Sequence, residues 1–162
     1  MTQAAFHPER AQLLLAAWKA GFLSSSELVA WADRKIASVN DSSELPSWLL
    51  DLSLHGPEHC TRLSEEVFLP QTSLDFVTLF CCHVAKLDLA DETKLERFAN
   101  WIAKASLGED LSRPEVMLGY QIDHLRNDCD RMDLAIDLLR AELPAFAATS
   151  RKVAATVLDL SH

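Results

Sequence analysis

The chain has 162 residues, a formal net charge of −9, and 49% hydrophobic against 24% charged residues. That composition is globular, which excludes wholesale disorder and collagen-like or low-complexity states, and the length fits one domain over 1–162. Fifteen Lys and Arg against 24 Asp and Glu leave little material for a groove-wide basic patch, so nucleic acid is not an expected partner.

The first predicted helix runs from Pro8, suited to an N-terminal turn, to about Ala20, with Gly21 placed for a left-handed cap. Leu13, Leu14, Ala17 and Trp18 follow its 3.6-residue period. Ser24-Ser25-Ser26-Glu27 reads as a capping box opening a helix with Leu28, Trp31, Ala32 and Ile36 on one face. Asn40 to Glu44 reads as a loop. Short helices follow from Pro46, with Trp48, Leu49 and Leu52, and from Pro57, with Cys60, Leu63 and Val67. Thr72 or Ser73 is the expected cap of the next.

The segment from about 73 to 87 is apolar on every side: Leu74, Phe76, Val77, Leu79, Phe80, Cys81, Cys82, Val84, Ala85 and Leu87. A helix apolar all round is buried all round, so this one is expected at the centre of the fold. Asp91 caps a helix bearing Leu95, Phe98, Trp101, Ile102 and Ala105, ending near Gly108. Ser112-Arg113-Pro114-Glu115 reads as a second capping box. Beyond it Leu118, Ile122, Leu125, Cys129, Met132, Ile136, Leu139 and Leu143 alternate four and three residues apart. This heptad pattern predicts one long helix over about 114–142, roughly 43 Å at 1.5 Å per residue. Pro144 ends or kinks it before a last helix. The expectation is an all-α, single-domain bundle of seven or eight helices.

No basic stretch leads into an apolar run at the N-terminus, and no apolar stretch reaches the ~18 residues of a membrane span. A cytoplasmic protein without membrane attachment is expected. Its four cysteines, Cys60, Cys81, Cys82 and Cys129, read as reduced and mostly buried thiols.

The sequence offers few chemical motifs. His55, His59 and Cys60, with Cys81, Cys82 and His83, contain enough donors for a zinc site. Gly56-Pro57 separates the two histidines, however, and neither C-x-x-C nor a helical H-x-x-x-H occurs, so core packing is the favoured reading. There is no glycine-rich phosphate loop, nucleophile elbow or H-E-x-x-H. Neither an enzyme nor a cofactor is expected. Asp123, Asp130 and Asp137 recur every seven residues beside the seam, with Asp133 nearby. On one continuous helix they would stack into an acidic column, either merely solvated or a dock for a basic protein. Trp48 is the candidate interface anchor, because its helix follows a polar loop.

Gly21-Phe22-Leu23-Ser24-Ser25-Ser26-Glu27-Leu28-Val29-Ala30-Trp31-Ala32-Asp33, followed by Leu45-Pro46-Ser47-Trp48-Leu49-Leu50-Asp51-Leu52-Ser53, resembles a pattern of small bacterial helical proteins of no named family or known activity. The resemblance implies a bacterial, cytoplasmic, helical protein and carries over no functional residue. The expected function is a non-enzymatic protein-binding module with an acidic surface, immunity- or antitoxin-like. The alternatives are an enzyme or metal/ligand-binding protein using the His/Cys clusters, and an oligomerisation protein using the 118–143 seam.

Overall fold

Proline, glycine and short polar caps cut this chain into helices. A computed structural model describes residues 8–39, 45–62 and 73–161, and among them every regular element is helical, with no strand. The fold is all-α. The expected loop at Asn40–Glu44, the stripe residues Leu63 and Val67 and the cap candidate Thr72 lie outside the described residues. Among the described residues no helix is long and apolar enough to cross a membrane.

Backbone proximity groups the chain into two compact units, Met1–Leu74 with Val157–His162, and Asp75–Thr156. In the first, α1 (Pro8–Lys19) ends where Gly21 takes φ +87°. The Phe22 N–H bonds the Ala17 carbonyl at 2.9 Å and the Gly21 N–H that of Trp18 at 3.0 Å, the paired bonds of a Schellman cap. Helix α2 (Ser25–Ala37) is capped as expected, with the Glu27 amide donating to Ser24 Oγ at 3.1 Å. Leu28, Trp31 and Ala32 form its buried face and pack against α3 (Ser47–His55), which buries Trp48, Leu49 and Leu52. Gly56 at φ +81° stops α3, and α4 (Pro57–Arg62) brings in the buried thiol of Cys60. The Arg10 and Arg34 guanidiniums donate to the carbonyls of Val157 (3.3 Å) and Leu160 (3.2 Å), tying the C-terminal segment into this unit.

The second unit is built on α5 (Phe76–Lys86), in which no residue from Phe76 to Ala85 is exposed. The expected central helix is therefore present, starting later than expected. Asp75 rather than Ser73 is its cap, accepting from the Thr78 amide at 2.7 Å. Phe80 is fully buried, with ring centroids of Phe98 at 5.9 Å and Phe146 at 5.1 Å. Helix α6 (Glu92–Ala105) is capped by Asp91, as expected, and buries Leu95, Phe98, Ala99, Ile102 and Ala103. Helix α7 (Pro114–Asp123) starts with Pro114 in its first turn, but the residue at the cap is Arg113 and not Ser112. Asp110 accepts from the Ser112 amide at 2.9 Å and the Arg113 N–H bonds the Asp110 carbonyl, so Ser112 belongs to the preceding turn. Pro114 then holds Arg113 in extended backbone, as a residue before proline prefers.

The long helix expected over 114–142 is instead two helices. After α7 the backbone widens into a π-turn at His124–Asp128, Asp130 takes φ +50°, and the chain restarts as α8 (Met132–Glu142). Asn and Asp are poor interior helix residues because their side chains bond locally. Here Asn127 donates to Asp123 and His124 pairs with Asp128 at 2.8 Å. Asp also tolerates the left-handed region better than most residues. The break lets α8 pack against both α6 and α7, so Ile136, Leu139 and Leu143 join the core that Val116, Leu118 and Ile122 enter from α7. Leu143–Phe146 forms a 3-10 turn at Pro144 and leads into α9 (Ala147–Leu158).

Helices α6 and α7 cross closely at Gly119. A Cβ there would lie 2.4 Å from both Cβ and Oγ of Ser106, which is fully buried, and 3.1 Å from the Ile102 carbonyl oxygen. Alanine gains about 1 kcal/mol of helix propensity over glycine, but overpacking a filled interior costs about 1–3 kcal/mol. Gly119→Ala is expected to lower the denaturation midpoint; a rise would contradict the close crossing. Asp130→Gly is expected to raise stability by roughly 0.5–1 kcal/mol, because glycine carries no Cβ penalty at positive φ. A loss in the same urea titration would place residue 130 in ordinary helix.

Candidate functional site

Within the second unit, α5 and α6 meet at a short connection, Leu87 to Asp91, in which the Ala90 amide bonds Asp88 at 2.9 Å. His83 and Lys86 lie three apart on α5, and Lys94, Arg97, Phe98 and Trp101 recur at helical spacing on α6. Residues so spaced share a helix face. With Leu87 they line one cleft of about 270 Å³. Its wall is aromatic: His83 lies 4.3 Å from Trp101 and 6.2 Å from Phe98, centroid to centroid, and Phe76 stacks on Trp101 at 5.9 Å and 8°. Phe98 is buried, Trp101 half-buried, and the cationic Lys86, Lys94 and Arg97 are exposed.

Burial, and secondarily the charge of Lys86, push the His83 imidazole below its ordinary value of 6.5. A neutral imidazole, three cations and two ring faces suit an anion attached to a flat apolar body.

Because His83 has the lower value when folded, the unfolded chain binds more protons between that value and 6.5. Its stabilising contribution is complete above pH 6.5 and declines as pH falls through the folded value. His83→Asn is expected to flatten the fall in melting temperature below pH 6.5; an unchanged slope would contradict this origin.

The residues singled out in the sequence are dispersed. His55 and His59 stack at 4.8 Å, both exposed, on α3 and α4 of the first unit, while Cys60 beside them is fully buried. Cys81 and Cys82 are buried on α5 in the second unit, and His83 faces the cleft. Burial pushes the Cys60 and Cys81 thiols up, and that of Cys82 up to about 11. Among the described residues no group of three or more His, Cys, Asp and Glu is placed to hold a metal ion. Trp48, expected as a peripheral anchor, is buried at 8% exposure in the first unit.

The acidic column does not form on one helix. Asp123 ends α7, Asp130 occupies the turn and Asp137 sits on a separate helix, α8. His124 meets Asp128 at 2.8 Å, and Arg131 grips Asp133 with two bonds of 2.9 and 2.8 Å. That hydrogen bonding holds the Asp133 carboxyl down at about 2. The seam residues Leu118, Ile122, Ile136, Leu139 and Leu143 are buried within the unit's own core.

The cleft was missed because its two halves stand on different helices. The signal available in sequence was the pair of basic, aromatic-bearing spacings, His83/Lys86 and Lys94/Arg97/Trp101. No family model, curated protein or solved structure matches the chain.

Proposed function

We propose that the protein is a non-enzymatic binding module whose α5–α6 cleft takes a carboxylate or similar anion carried on a flat apolar group. The observation behind this reading is the convergence of Lys86, Lys94 and Arg97 on two aromatic rings in a chain of net charge −9. An electropositive recess on an acidic protein draws an anion inward, while the ring faces reward a planar body. The ligand is a free aromatic acid or the acidic, aromatic end of a partner. A reducing, cytoplasmic setting suits the free thiols of Cys60, Cys81, Cys82 and Cys129.

A second reading keeps a basic protein partner, as an immunity- or antitoxin-like protein would have. It rests on the exposed Asp128, Asp130, Asp133 and Asp137 at and beyond the α7–α8 turn. Such binding would weaken as salt rises, and Asp130→Asn with Asp137→Asn would weaken it further.

Calorimetric titration with naphthoate and with its uncharged amide tests the cleft. Hydrogen bonds to charged groups contribute about 1.5–3 kcal/mol, so naphthoate is expected to bind about tenfold or more tighter than the amide. Lys86→Ala, Lys94→Ala and Arg97→Ala together are expected to erase that difference. Equal affinities in the unmodified protein, or a preference that survives the triple substitution, would refute the reading.

A further inference from the structure

The turn between α7 and α8 assembles three side chains, independently of the cleft. In an α-helix, residues five apart project about 140° from one another and do not meet. A π-turn instead closes its backbone bond onto the fifth residue and brings that residue back over the first. Here the Cys129 N–H bonds the His124 carbonyl at 3.1 Å, the Arg131 N–H bonds that of Leu125 at 2.8 Å, and Asp130 at φ +50° completes the turn. The result is a Cys–His–Asp array. Cys129 Sγ lies 3.6 Å from His124 Nε2, and His124 Nδ1 lies 2.8 Å from Asp128 Oδ2.

The ionised carboxylate of Asp128 can only accept, so Nδ1 carries the imidazole proton and Nε2 offers its lone pair to the thiol. A nucleophile, a base within reach and a third group that orients the base are the parts of an activated nucleophile. Cys129 is exposed, whereas Cys60, Cys81 and Cys82 are buried, so reagents meet one thiol first.

We propose that Cys129 is a reactive thiol, with His124 as its base and Asp128 as the positioning residue, and that it exchanges with small disulfides. His124 Nε2 takes the Cys129 proton and the thiolate attacks one sulfur of the disulfide. The reagent's S–S bond breaks as a Cys129–sulfur bond forms. The departing thiolate takes the proton back from Nε2, leaving a mixed disulfide and one free small thiol. Excess thiol reverses the step. The exposed carboxylates of Asp128, Asp130 and Asp133 surround the site, and Arg131 is already gripped by Asp133. Neutral or amine-bearing disulfides are therefore the substrate class, ahead of carboxylate-bearing ones.

The test is stopped-flow reaction of the native 162-residue chain with dithiodipyridine at neutral pH, following released thiopyridone. One rapid equivalent per chain is expected, and Cys129→Ser removes it. His124→Gln slows it about tenfold, less than the 10²–10⁴ typical of general bases because the site is open to water. Asp128→Asn slows it as well, while Asp128→Glu, which keeps the carboxylate, restores it. Cystamine reacts faster than dithiodiglycolate. These side chains are exposed, and unchanged helical circular dichroism shows that each variant is folded. A rapid equivalent surviving in Cys129→Ser, or equal rates for His124→Gln and the unmodified protein, would overturn the proposal. Faster reaction of the anionic disulfide would overturn the substrate class.

Discussion

The second unit depends on the break in the chain between α7 and α8. Val116, Leu118 and Ile122 before it, and Ala135, Ile136, Leu139 and Leu143 after it, all belong to the core around Phe80 and Ile102. A straight helix through these positions would extend roughly 43 Å, carrying its far half away from α6. The break lets both halves bury against that core, and burial is worth about 25 cal/mol per Å² of apolar area. Against that gain stand one residue at positive φ and a few broken helical bonds, a cost of a few kcal/mol. Burial of the four apolar side chains beyond the break outweighs that cost.

Helix ends governed by local chemistry were legible in the sequence. Pro8, Gly21, Ser24, Asp91 and Pro114 all do there what their side chains or missing N–H dictate. Ser112 is not the cap because Asp110 competes for its amide, a contest between two local bonds that spacing does not reveal. The heptad seam misleads for a different reason. An a/d pattern records which residues are buried, and it is identical for one long helix and for two shorter ones that pack upon a shared core. Its buried positions were right at Leu118, Ile122, Ile136, Leu139 and Leu143. Cys129, the seam residue left exposed, marks the break. The run Asn127-Asp128-Cys129-Asp130 carried the missing signal, since its polar side chains bond locally rather than supporting helix.

Charge followed the same division. The net −9 is a property of composition and leaves little material for an extended basic surface. A small basic recess escapes such counting. Lys86 is on α5 and Lys94 and Arg97 are on α6, so their convergence depends on packing across the Leu87–Asp91 connection. The acidic column has the opposite fate: one continuous helix would stack its members, and the break between α7 and α8 separates them. In both cases the tertiary path, not the local sequence, decides which charges meet.

The break itself is measured most directly by the backbone Cα chemical shifts of residues 114–142. Two helices, Pro114–Asp123 and Met132–Glu142, joined through a π-turn and Asp130 at φ +50° predict two helical runs of shifts interrupted at 129–131. An uninterrupted helical run from 114 to 142 would mean one continuous helix and would contradict the account.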